Sequence, residues 1–130
     1  MSEKNCKERL AKHLTSRLRD IRKLWKLYKI DPEKYDDEIG KFNDYGIAFG
    51  AREDNGIVYF RWELSYGGPA DGFNFYVDID FNLVAVKYYF ADWFDCAEKK
   101  LSKARFELLK EIWECYFKEY AKTIPRKDYY

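Results

Sequence analysis

Ile47-Ala48-Phe49-Gly50-Ala51-Arg52-Glu53-Asp54-Asn55-Gly56-Ile57-Val58-Tyr59-Phe60-Arg61-Trp62-Glu63-Leu64 is the stretch that decides the fold. Apolar residues alternate on both sides of Asn55-Gly56, a pair that favours a two-residue type I′ turn because both central positions need positive φ. A tight turn there sets Phe49 against Trp62, Ala51 against Phe60 and Ile47 against Leu64, all on one side of a sheet. A second tight turn at Phe81-Asn82 places Ile79 opposite Val84, Val77 opposite Val86, Phe75 opposite Tyr88 and Phe73 opposite Phe90. Joining the two hairpins through Gly67-Gly68-Pro69-Ala70-Asp71-Gly72 keeps Tyr66 and Phe73 on that same side. The expectation is a four-stranded antiparallel meander over residues 46–91. Its other face carries Arg52, Tyr59, Arg61, Glu63, Asn74, Tyr76, Asp78, Lys87 and Tyr89, the amphipathic pattern of a sheet that packs on helices from one side only.

Working outward, the period changes from 2 to 3.6. Leu10, Leu14, Leu18, Ile21, Leu24, Trp25 and Tyr28 mark one face of a long amphipathic helix over residues 1–30. Asp31-Pro32 reads as an N-cap and first helical residue, and Tyr35, Ile39 and Phe42 give a short second helix within 31–45. Beyond the sheet, Asp92-Trp93-Phe94-Asp95 reads as a bulky loop. Ser102 is a good N-cap for a helix over 102–123, with Leu101 and Phe106 at hydrophobic-staple spacing and a stripe of Phe106, Leu109, Ile112, Trp113, Tyr116, Phe117 and Tyr120. The fold class is therefore α+β, with the long N-terminal, short second and C-terminal helices packed on one face of the sheet. The 130 residues suit one domain with one core.

Composition narrows the chemistry. Cys6, Cys96 and Cys115 are odd in number and never spaced as C-x-x-C, and His13 is the sole histidine, so neither a disulfide framework nor a zinc site is expected. The same histidine count leaves no Ser-His-Asp or Cys-His arrangement. No apolar run approaches a membrane span and the N-terminus lacks a signal core, so the expectation is a cytoplasmic protein without a membrane partner. The glycine-rich 67–72 stretch lacks the lysine and the serine or threonine of a P-loop and reads as a structural crossover. Asp78 and Asp80 lie two apart on the open sheet face, and Asp71, Asp92 and Asp95 could gather at one end of the sheet; clustered carboxylates can hold Mg²⁺ or act as acid and base. Aspartate is also favoured in turns for its own sake. No cofactor is expected.

A near-neutral total conceals segregated charge. Residues 1–30 hold ten Lys/Arg against three Asp/Glu, residues 31–98 five against fifteen, and residues 99–130 nine against five. Such sorting speaks of partners. The helix carries Arg17, Arg19, Arg22, Lys23 and Lys26 opposite its apolar stripe, which points to phosphate or an acidic protein surface. The sheet's second face, with Tyr59, Arg61, Glu63, Tyr76, Asp78 and Tyr89, together with Asp92 and Asp95, points to protein contact through rings and negative charge. The long helix and the surplus of aromatic residues also raise a homodimer.

Trp62-Glu63-Leu64-Ser65-Tyr66-Gly67-Gly68-Pro69-Ala70-Asp71-Gly72-Phe73, followed by Asp92-Trp93-Phe94-Asp95, resembles a group of short proteins carried by phages and other mobile elements. The resemblance spans roughly residues 46–113, is most specific around Gly67-Gly68-Pro69, and transfers no functional residues. Similar runs carry serine where this chain has Ala70 and glycine where it has Cys96. The resemblance implies a setting in which small non-catalytic proteins block host defence nucleases, CRISPR effectors among them. The resulting expectation is a binding protein that engages a host protein or protein–nucleic acid complex. The alternatives are a stand-alone nucleic-acid binder using the basic helix and a carboxylate-based metal hydrolase.

Overall fold

The computed structural model describes residues 2–92 and 95–129, and the side chains of 7–92 and 97–129. Helix α1 (Ser2–Ile30) is followed by an irregular segment, then strands β1 (Ala48–Asp54), β2 (Ile57–Ser65), β3 (Ala70–Val77), β4 (Leu83–Asp92) and β5 (Asp95–Lys100). A C-terminal helical run then comprises α2 (Lys103–Ile112), a π turn (Trp113–Phe117) and α3 (Lys118–Thr123). The strands form one antiparallel sheet in the order β1-β2-β3-β4-β5. The meander thus has five strands where the sequence reading has four. The added edge strand β5 pairs Phe90 with Ala97 and Tyr88 with Lys99. Trp93 and Phe94, half of the expected bulky loop, lie outside the described residues.

The first hairpin follows the sequence. Asn55 and Gly56 take φ of 51° and 80°, and Phe49 pairs with Trp62 and Ala51 with Phe60. Ile47 precedes β1 and is exposed, so it does not share the core with Leu64. The second hairpin is shifted by two residues. Asp78 Oδ1 accepts the N–H groups of Asp80 and Asn82, Phe81 takes φ of 65°, and Trp113 Nε1 donates to the Phe81 carbonyl. The turn therefore spans 78–82, and Phe75 meets Val86 while Phe73 meets Tyr88. Because a shift of two preserves the pleat, Phe73, Phe75, Val86, Tyr88 and Phe90 still face the core. Ile79 and Val84 are released to solvent, as is Tyr66 beyond the bulge between Glu63 and Ser65.

Both helical units pack on the face defined by Phe60, Trp62, Phe73, Phe75, Val86, Tyr88 and Phe90, each buried. Helix α1 lies over β4 and β5 and buries Leu10, Leu14, Leu18, Ile21, Leu24 and Trp25. The C-terminal run covers the other half, with Phe117 stacked 4.4 Å from Phe49 and Trp113 5.4 Å from Phe75. No α-helix forms over 31–45. Asp31 Oδ1 bonds the N–H of Glu33, and Asp36 Oδ1 bonds those of Glu38 and Ile39, so aspartate side chains take the main-chain donors that a helix would use. A Phe42–Asp44 3-10 turn remains and drives Phe42 into the core.

Candidate functional site

The basic side of α1 divides in two. Lys12, Arg19, Arg22 and Lys26 are exposed and make no ion pair among the described residues. A helix rises about 1.5 Å per residue, so this ridge runs for roughly 21 Å along α1. Lys23 is exposed but tied to Asp36 at 2.8 Å, which raises its pKa and lowers that of Asp36 to about 2. Arg17 leaves the ridge altogether. Its Nε and Nη2 donate to the two Asp71 oxygens at 2.8 and 2.9 Å, and Nη1 reaches the Tyr45 hydroxyl. The expected partner-binding arginine is an internal one.

Asp71, 1% exposed, also accepts from Ser65 and Tyr88. Burial alone would push its carboxyl up, but the bonds from Arg17, Ser65 and Tyr88 outweigh it and the pKa falls below the ordinary value. Burial and the Asp71 carboxylate together raise the pKa of Tyr88. The 67–72 crossover thus delivers a core carboxylate, which its glycine-rich reading did not anticipate.

The open face of the sheet is not an acidic surface. Arg52 pairs with Glu63 at 3.2 Å and Lys87 with Glu98 at 3.6 Å. The Arg61 guanidinium lies 4.1 Å from the centre of the Tyr89 ring and its Nε donates to Asn74 Oδ1. Tyr59 and Tyr76 stand side by side at 5.1 Å, with Lys87 over Tyr76. Gly72 fits between β2 and Tyr89, since a Cβ there would sit 2.3 Å from the Trp62 carbonyl oxygen and 2.9 Å from the Tyr89 hydroxyl. Cations roof the rings, Glu63 is answered by Arg52, and the rest of the negative charge expected here resides in turns. Asp78 belongs to the β3–β4 turn, and Asp31, Glu33, Asp36, Asp37, Glu38 and Asp44 crowd the segment after α1.

Nor do the carboxylates converge. Asp71 is internal, Asp78 caps its turn, Asp92 pairs with Arg9, and the side chain of Asp95 lies outside the described residues. Among the described residues no three of His, Cys, Asp and Glu are placed to hold a metal ion. His13 stacks on Phe90 at 4.8 Å. No described helix is long and apolar enough to cross a membrane.

One feature escaped the sequence. Beside β1 lies a cleft of about 400 Å³ walled by Phe42, Phe49, Trp62, Tyr116, Phe117 and Tyr120. Every one of these residues reads as core from its spacing, so the opening between them has no signal in periodicity. No family model, curated protein or solved structure matches this chain.

Proposed function

We propose that this chain is a binding protein without chemistry of its own, docking on a host nucleic-acid-processing complex and touching its nucleic acid through α1. The supporting observation is the contrast along one helix. Arg9, Arg17, Lys23 and Lys29 each meet a carboxylate, whereas Lys12, Arg19, Arg22 and Lys26 form a solvent-facing row that meets none among the described residues. Such a row suits the regular charge of a phosphate backbone. The mobile-element resemblance supplies the setting of the proposal, inhibition of a defence nuclease such as a CRISPR effector. Pairing of Arg52 with Glu63 and Lys87 with Glu98 makes negative-charge mimicry by the sheet a poor fit.

The test is binding to a short duplex across a salt series. Reversal of Arg19, Arg22 and Lys26 to Glu is expected to lower affinity steeply and to flatten the log–log salt slope by about 2.7 if all three meet phosphate. Circular dichroism should be unchanged, because all three side chains are exposed. Equal affinity of the reversed and native proteins refutes the role of α1.

A further inference from the structure

Strand β1 leaves half of its main-chain groups unanswered. The two-residue turn makes Asp54 and Ile57 a hydrogen-bonded pair, and alternation then commits Arg52, Gly50 and Ala48 to β2 as well. The N–H and C=O groups of Phe49, Ala51 and Glu53 point away from the sheet, and no described residue outside the sheet bonds them. The opposite edge is guarded differently. Strand β5 carries Glu98, Lys99 and Lys100, all exposed, the usual charged protection of a sheet margin. In β1 the charge is confined to the turn end, Arg52-Glu53-Asp54, and Ala48-Phe49-Gly50-Ala51 has none.

Two clefts lie along this unguarded edge. The aromatic one, about 400 Å³, has the Trp62 indole in its wall. The second, about 250 Å³, is lined by Ala51, Thr123, Ile124 and Asp128. Phe49 and Tyr120 line both and form the wall between them. The Asp128 carboxylate makes no ion pair among the described residues. Side chains on one face of a strand repeat at roughly 6.8 Å, the spacing at which neighbouring clefts take residues two apart.

We propose that the β1 edge is a strand-addition site for an extended segment of a partner protein. Its main chain pairs with Phe49, Ala51 and Glu53, one bulky apolar side chain fills the aromatic cleft, and a lysine or arginine two residues away meets Asp128. Charge and bulk argue against a second copy as the occupant. Twofold pairing of β1 with itself about Phe49, Gly50 or Ala51 sets Phe49, Ala51 or Glu53 beside Phe49 and brings no helix-facing cation to Asp128. A foreign strand has no such limit.

The probe is the capped peptide Ser-Lys-Thr-Trp-Thr-Ser, titrated into the full chain while backbone amide shifts are followed. Amides of Phe49, Ala51 and Glu53 are expected to move. N-methylation at the Lys and Trp positions removes the pairing N–H groups and should weaken binding about tenfold, the equivalent of 1.4 kcal/mol. N-methylation at the intervening Thr should leave it unchanged. Asp128→Lys alters an exposed side chain and should reverse the preference, favouring a peptide with Glu in place of Lys. Three results overturn the proposal: no shift in β1 at millimolar peptide, equal loss from both methylation patterns, or shifts of these amides that follow protein concentration without peptide. The last gives the edge to a second copy.

Discussion

Replacing Asp71 by Ala removes the acceptor for four hydrogen bonds in one step: two from Arg17, one from Ser65 and one from Tyr88. The lost pair leaves a cation whose side chain is 24% exposed, so water and Tyr45 soften the blow. Breaking a buried pair costs about 3–5 kcal/mol, and the lower half of that range applies to Arg17. The orphaned Tyr88 hydroxyl adds about 1–2 kcal/mol, for a total near 4–6 kcal/mol, a large share of the about 5–15 kcal/mol available to a domain. Arg17→Met should cost about 3–5 kcal/mol by stranding the more deeply buried carboxylate. Because each single change pays for the other's abandoned charge, the double variant should fall short of the sum by about 2 kcal/mol or more. Urea unfolding followed by tryptophan fluorescence at neutral pH measures all three, with the m-value as a check on the two-state assumption. Additivity within about 0.5 kcal/mol would refute the reasoning. A pH arm carries its own sign. The folded pKa of Asp71 lies below the unfolded value of about 3.9. Its stabilisation is therefore complete above that value and is lost as pH falls through the lower folded pKa, a component that Asp71→Ala should lack.

Two further expectations concern packing and burial, beside the charge reversal in α1 and the peptide titration at β1. Gly46→Ala places a Cβ 2.0 Å from Trp62 Nε1, an indole already in contact with Phe42, Phe73 and Phe117. It should cost about 2 kcal/mol or more in thermal melts, while Gly50→Ala, which meets open space, should stay within about 0.5 kcal/mol; equal effects would contradict the packing. In a spectrophotometric titration Tyr45 and Tyr89, whose pKa values burial pushes up to about 12, should ionise late. Ionisation of both near the ordinary value of about 10 would show that water reaches them.

What could be read from the chain followed the strength of local signals. Leu10, Leu14, Leu18, Ile21, Leu24 and Trp25 gave α1 its inward face, and Asn55-Gly56 fixed the first register by backbone geometry alone. Where a side chain competes for main-chain donors, periodicity misleads. Asp36 dissolves the expected second helix, and Asp78 widens the second turn and moves its register by two. Strand β5 was illegible because Asp95-Cys96-Ala97-Glu98-Lys99-Lys100 has no apolar alternation, and it is held by pairing with β4. Among the candidate site residues, Arg19, Arg22 and Lys26 stand in solvent as expected. Arg17 adjoins the apolar stripe, and only its pairing with a residue 54 positions away reveals its place. The cations roofing the tyrosines of the open face depend on cross-strand neighbours and were equally beyond reach.

Because β1 and β5 bound the sheet on opposite margins, four strand spacings of about 4.8 Å, or roughly 19 Å, lie between them. Helix α1 begins above the β4–β5 half, and its Trp25 and Tyr28 reach Phe42 and Tyr116, two walls of the cleft beside β1. Anything seated in that cleft would press on the same rings that anchor the end of α1, so the two surfaces share one wall.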